Sequence, residues 1–423
     1  MIRAGVAVVD ITPAPGLLQA GFAMRTEPAI GVHDPLTVRA VVVGDTAMVA
    51  VDVVGINEDL TARVRERVPL PHSGVCIAAT HTHGAPESTP GRLSRSVDPG
   101  FLQSIEDGCV EAIARALENA RPARITFGYG ADPGVARNRR HDDGPLDRAL
   151  PVVRFQDAEG KVFAVMVAYA CHPVVLAADN RLMTADYPHY VRQSLEEAYP
   201  GAVAVFFTGC AGDANNGHTA HASWTLAANP ERSFATAERL GRRIGEAALA
   251  APEAETGDRV AALAADVRVN LTRLEQEPLP VLAEQWRPEL ALADPERATI
   301  LRAWIAWADR FSNQPPGSWT GRVSVLDWGG VLVIGLPGEI FAETALLIRE
   351  ACGPESPVFV IAYAHATPGY IPPASEFVHG GYEVAEAHRF IGMPGTFAPG
   401  SAEALAGAAQ ALVGAIRREI AVP

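Results

Sequence analysis

Two histidines separated by a single residue, His81-Thr82-His83, follow an apolar run at residues 74–79. In extended backbone, positions i and i+2 face the same side, so both imidazoles are presented together at a strand end. His172, in Cys171-His172-Pro173, follows the apolar run 163–170, and Glu339, in Leu336-Pro337-Gly338-Glu339, follows the run 331–335. Imidazole nitrogens and a carboxylate oxygen on loops at strand ends make a donor set suited to Zn²⁺, which accepts mixed N/O ligands and keeps one position open in catalytic sites. Each piece also has a plain structural alternative: a His-x-His with no metal, a hydrogen-bonded core histidine at 172, and a helix start at Glu339. Their joint occurrence after apolar strands favours a metal site.

The elements that must position these residues are legible as apolar runs. Strands are expected at 6–9, 37–43, 47–54, 74–79, 152–155, 163–170 and 202–207, and again at 260–269, 323–326, 331–335 and 358–362. Helical periodicity occupies 100–119, 187–198, 236–250, 280–285, 295–311 and 402–419, with a shorter helix at 342–350. Strands alternating with helices predict an α/β fold of mixed β-sheets flanked by helices. A single large catalytic domain over 1–423 is expected, with a sub-boundary at 250–258, where polar and small residues separate a helix from a new strand. The loops at 80–84, 171–173, 209–213 and 336–339 each follow a strand, which places them on one edge of a sheet, where α/β folds gather their sites.

Net charge is −14, without a basic run, which excludes nucleic acid as a partner. Hydrophobic residues are 48% and charged residues 20% of the chain, enough for a large core without disulfides. The five cysteines are scattered and lack Cys-x-x-Cys spacing, so buried free thiols and a cytoplasmic, reducing location are expected. No apolar run reaches about 18 residues and the first residues lack a signal-peptide pattern, so neither membrane insertion nor export is expected. Neither a Walker loop nor a GxGxxG follows the first strand, which removes nucleotide cofactors. The expected partner is a small-molecule amide or ester substrate, and a homo-oligomer is compatible with the composition.

A set of short motifs then occurs in a fixed order: GVAVVDIT at 5–12, GVHDPLTVRA at 31–40, THTHGAP at 80–86, Asn138-Arg139, ACHP at 170–173, ADY at 185–187, GCAGD at 209–213, LPGE at 336–339, Gly369-Tyr370 and Tyr382-Glu383. In this order they resemble the catalytic domain of the neutral (alkaline, non-lysosomal) ceramidase family, from residue 5 to about residue 395. The resemblance implies that fold, without the C-terminal β-sandwich-like domain that ceramidases add. It also implies a zinc site of His81, His172, Glu339 and Tyr370, the tyrosine contributing a phenolate whose pKa the cation lowers. Tyr382 matches the residue that hydrogen-bonds the developing oxyanion, and His83 and Arg139 match polar residues of the same pocket.

Asn215 stands where the family carries a serine once proposed as nucleophile. A seryl intermediate is thereby excluded at this position, and Asn215 is left to orient substrate or to shape a turn. The expectation is a zinc-dependent hydrolase cleaving an N-acyl amide of a small soluble substrate by attack of zinc-bound water, with His83 moving the proton. The alternatives are an esterase, lactonase or phosphoesterase on the same site, or a non-catalytic binding relative. Trp304, Trp307, Phe311 and Trp319 are read as helix core, with an aromatic lid over the pocket as the alternative. Asp52 is read as a support for a metal histidine or for a nearby loop.

Overall fold

The computed structural model describes residues 2–92 and 95–421. Its larger sheet runs in the order Val203–Thr208, Val162–Tyr169, Leu150–Gln156, Arg121–Gly130, Ile2–Asp10, Thr37–Val43, Thr46–Val51, Val75–Ala79, with Ala254–Glu255 paired onto Arg121–Gly130. A second sheet is ordered Val358–Ile361, Val331–Gly335, Ser318–Trp328, Val260–Thr272, Thr396–Phe397. Alternate residues of each strand face opposite ways, and both faces are apolar. Val41, Met48, Phe155, Met166 and Phe207 of the first sheet form one buried cluster with Leu326, Trp328, Val333 and Phe359 of the second. Val42 and Val49 point the other way, onto Phe101, Ile105 and Ala112 of the helix Pro99–Glu118. Helices Tyr187–Ala198 and Phe234–Leu249 cover Val152, Val165 and Phe206. The architecture is thus two facing mixed sheets with helices outside, as the sequence predicts.

Within the two large sheets, three strand pairs are parallel among the described residues: Thr46–Val51 with Val75–Ala79, Val162–Tyr169 with Val203–Thr208, and Val331–Gly335 with Val358–Ile361. The sheets are sewn together where these strands end. Ala79 N–H donates to the Tyr363 carbonyl (3.1 Å), His365 N–H to Ile77 (2.7 Å) and Ala362 N–H to Thr208 (3.2 Å). The segment 250–258 is where the chain passes from one sheet to the other, yet the two sheets share a core.

Two of the longer elements escape the sequence pattern. Strand Arg121–Gly130 contains Pro122, Gly128 and Gly130, which break the apolar alternation. Helix Glu58–Arg67 buries only Leu60, Thr61 and Val64, so its apolar stripe is too thin to read, although Asn57 caps it through Leu60 N–H. Leu279–Leu290 is also longer than the helix expected at 280–285. All five cysteines are buried free thiols. Among the described residues, no helix is long and apolar enough to cross a membrane.

Candidate active site

His81 leaves the strand Val75–Ala79 with a left-handed backbone, φ 67°, a conformation that a non-glycine residue holds only when its surroundings impose it. Its N–H donates to Val53 (3.0 Å), and Thr80 beside it reaches Asp52 (3.2 Å). Asp52 is fully buried and also receives Thr37 Oγ1 (2.8 Å) and Arg192 Nη1 (2.8 Å). Burial alone would raise its carboxyl, but Arg192 and the Thr37 donors hold it below the usual range. Asp52 therefore supports the loop that carries His81. His172 is placed from the neighbouring strand pair, its N–H donating to Ala214 (2.9 Å).

The side-chain nitrogens fix the chemistry. His81 Nδ1 faces the Val54 carbonyl and His172 Nδ1 faces the Ala211 carbonyl at 2.7 Å. Carbonyls only accept, so both Nδ1 atoms are assigned the proton and both Nε2 atoms a lone pair. Those Nε2 atoms stand 2.8 Å apart, and Glu339 Oε2 lies 3.2 Å from the first and 3.4 Å from the second. His83 Nε2 is 3.4 Å from His81 Nε2. Burial, then the neighbouring His81, pushes His172 down to about 4, so its own Nε2 carries no proton at neutral pH. Glu339 Oε2 is buried and receives no donor. Converging lone pairs of this kind could hold a metal ion. The ligand nitrogens of His81, His83 and His172 lie within 4.8 Å of one another.

Tyr370 joins them through a two-residue parallel pairing in which Glu339 and Tyr370 are register partners. Its hydroxyl oxygen accepts from Arg139 Nη2 at 2.9 Å. Burial holds the phenol well above its ordinary value, and Arg139 acts against that. The Arg139 side chain is 5% exposed and also donates through Nε to Glu383 (2.8 Å). Arg140 bridges Glu383 (2.6 Å) and Glu376 (2.8 Å), so a buried chain of alternating charges fixes the Arg139 fork. Tyr382 and Glu383 sit on a π-turn, Tyr382–Glu386, which widens the helix and aims both side chains inward. The Tyr382 ring lies 5.9 Å from that of Tyr370. Its hydroxyl has no protein hydrogen-bond partner among the described residues, and burial raises its pKa, so it remains a proton donor.

His83, Arg139, Tyr370 and Tyr382 all line one cleft, whose other walls include Phe22, Val174, Trp224, Phe390, Ile391 and Arg92. Asn215 is spent elsewhere: its Oδ1 accepts from Gly217 (2.8 Å) and His218 (3.1 Å) N–H, and its amide donates to the His218 carbonyl (2.8 Å). It shapes a turn rather than facing the cleft. Asn215→Ala is expected to lower turnover a few-fold with metal retained, checked by paired metal analysis and rate measurement; the lost turn bonds cost about 1 kcal/mol each. Glu339 does not cap the following helix, since Asp213 Oδ1 receives the Ala342 N–H (2.8 Å). Trp304 and Trp307 form no lid. They enclose Arg389, whose guanidinium carbon lies 4.4 Å from the Trp304 ring centre, behind the short helix Ala387–Ile391 that carries Phe390 and Ile391. Gly21, at φ 87°, lies so close that an added Cβ would stand 2.2 Å from His83 Nδ1. Gly21→Ala should displace His83, lowering the melting temperature and turnover together, at an overpacking cost of about 1–3 kcal/mol.

The profile of the neutral/alkaline non-lysosomal ceramidase N-terminal region matches residues 2–222. The chain belongs to that family. Curated neutral ceramidases also align with this chain. The Drosophila melanogaster protein is 27% identical over 229 residues, covering 47% of this chain and 32% of the relative. Neutral ceramidase 3 of Arabidopsis thaliana is 29% identical over 230 residues, covering 46% and 31%. These matches take in about a third of each relative's length. The crystal structure of neutral ceramidase from Pseudomonas aeruginosa superposes with a TM-score of 0.75 at 20% identity, covering 99% of this chain and 75% of that one. The fold is therefore the ceramidase fold throughout, including the half beyond residue 222 where Glu339, Tyr370 and Tyr382 lie.

Arg92, Trp224 and Phe390 are cleft residues that sequence reasoning passes over. Arg92 follows Ser88-Thr89-Pro90-Gly91, which reads as an ordinary polar turn, and the two aromatics carry no spacing signal.

Proposed function

We propose that this protein is a zinc-dependent hydrolase that cleaves an N-acyl amide bond in a small soluble substrate. The reading rests above all on one observation. Two lone-pair imidazoles and the Glu339 carboxylate converge beside the phenols of Tyr370 and Tyr382 and the guanidinium of Arg139. The relatives' name supports an amide, because ceramide is an N-acyl compound. His81, His172, Glu339 and Tyr370 would hold the metal, and two nitrogens with two oxygens suit zinc better than magnesium or calcium, which prefer all-oxygen shells. Bound there, zinc would polarise the substrate carbonyl and acidify water.

The chain's own groups do the rest. The Tyr382 hydroxyl donates to the carbonyl oxygen as charge builds on it. Arg139, held by Glu383, keeps Tyr370 in place and adds positive charge on the same side. His83 is neutral, because burial and then the adjacent His81 and His172 push it well below its ordinary value. Its Nδ1 has no partner among the described residues, so it can accept a proton and pass it to the leaving amine. Phe22, Val174, Trp224, Phe390 and Ile391 offer an apolar wall for the acyl group.

An N-acyl amide, ester and lactone panel tests this, run with zinc-loaded and chelator-treated protein alongside long-chain ceramide in detergent micelles. The expected result is cleavage of short soluble N-acyl amides ahead of ceramide, lost on chelation and restored by zinc. Absence of amide cleavage by protein carrying stoichiometric zinc would sink the reading, and efficient cleavage of ceramide alone would make the substrate a membrane lipid.

A further inference from the structure

Irregular loops make most of the cleft wall, and buried and half-buried arginines hold those loops by spending their donors on main-chain carbonyls. Arg25 donates to Ala20, His83, Ala177 and Ala178. Arg95 donates to Gln19, Phe22, Ala23 and Arg25. Arg232 donates to Val174, Val175, Leu176 and Ala222. Arg139 and Arg140 are committed to Tyr370, Glu383, Glu376 and Gly380.

Arg92 differs from all of these. It is 7% exposed and lines the cleft. Its Nε donates to Thr89 Oγ1 at 3.0 Å, which orients the group. Nη2 is buried without an acceptor among the described residues, and Nη1 stands 4.0 Å from Glu339 Oε1, too far for a hydrogen bond. Glu339 is meanwhile turned toward His81 and His172 through its other oxygen. A buried guanidinium with one terminal nitrogen lacking an acceptor among the described residues, and the other facing only the distant Glu339 carboxylate, is costly unless an anion arrives to receive them. Two N–H groups on one planar fork match the two oxygens of a carboxylate, which a single-point cation does not.

We propose that Arg92 is an anion subsite, and that the substrate carries a carboxylate near its scissile N-acyl bond. The class is then an N-acylated amino acid rather than an acylated neutral amine. This rests on the amide-hydrolase reading above for the bond cleaved, but not for the binding. In binding, the carboxylate takes both terminal nitrogens of Arg92, the acyl chain lies along the apolar wall, and the amide carbonyl is left facing Tyr382.

The test compares N-octanoylglycine with its neutral carboxamide, N-octanoylglycinamide, by calorimetric binding and by kcat/KM. Wild type and the variants Arg92→Gln and Arg92→Lys are used, each checked for zinc content and melting temperature. The wild type should favour the carboxylate about ten- to a hundredfold. Arg92→Gln should bring the ratio close to one, and Arg92→Lys should keep part of it. Equal affinity for the two probes in the wild type overturns the subsite. So does a preference that persists in Arg92→Gln, which would put the carboxylate on the metal centre. An Arg92-dependent binding preference without cleavage of either probe keeps the subsite and defeats the hydrolase reading. Cleavage of both at equal rates does the reverse. If Arg92→Gln fails to fold, Arg92→Lys decides, since it keeps the charge while removing the fork.

Discussion

Alanine in place of His81 or His172 is expected to remove bound zinc and hydrolysis together, and Glu339→Ala should do the same. The two Nε2 atoms are 2.8 Å apart, and Glu339 Oε2 is within 3.4 Å of both, so each group is a neighbour of the other two. Removing one leaves a site that is buried but short of a donor. Removing Glu339 also takes away the negative charge that would offset a divalent cation at a buried site. The rings cannot swing away to compensate, because each Nδ1 is tied to a main-chain carbonyl. Metal content by plasma mass spectrometry and turnover of the best amide should fall in step, with activity at background. Retention of stoichiometric zinc in both histidine variants would mean that the ion sits elsewhere. Asn215→Ala supplies the contrast, since its side chain holds only the Gly217–His218 turn.

His81, His172 and Glu339 are legible in the amino-acid sequence because each lies just beyond an uninterrupted apolar run, where a polar residue is conspicuous. The pairings that complete the site are different in kind. Glu339 meets Tyr370 in a two-residue strand pair, and Ala214 meets Asn138 in another. Two-residue pairings have no periodicity, so nothing local announces them, and Tyr370 is reachable only through family resemblance. Arg92 is harder still. Its significance lies in an absence of partners, which depends on where Thr89, Glu339 and the cleft wall fall in space. The aromatic residues at 304 and 307 show the opposite case. Their helical spacing indicates core; Trp307 is in the core of a small helical layer and donates to the Met393 carbonyl (2.7 Å), while Trp304 is half-buried against Arg389 and Trp286. They act on the cleft only by backing the helix that carries Phe390 and Ile391.

Tyr382→Phe is expected to lower kcat by about 10²–10³-fold while leaving zinc content unchanged and KM within a few-fold, the signature of a donor used mainly in the transition state. The substitution deletes one oxygen and keeps the ring, which packs near Tyr370, Trp224 and Phe390 at centroid distances of 5.9, 5.9 and 6.0 Å. Packing should therefore survive. The hydroxyl has no partner to lose among the described residues, so the variant leaves no buried group stranded, and its melting temperature should match the wild type. Burial raises the phenol's pKa, so it stays protonated across the physiological range and its loss removes a neutral donor rather than a charge. Arg139→Lys sets the comparison. Lysine cannot serve Tyr370 and Glu383 at once in the geometry the guanidinium does, so that variant should lose stability and metal affinity as well as rate. A Tyr382→Phe protein with wild-type kcat would remove Tyr382 from the chemistry and leave Arg139 as the donor to the oxyanion. A fall confined to KM would instead make Tyr382 part of the substrate-binding wall, with no share in the step at the carbonyl.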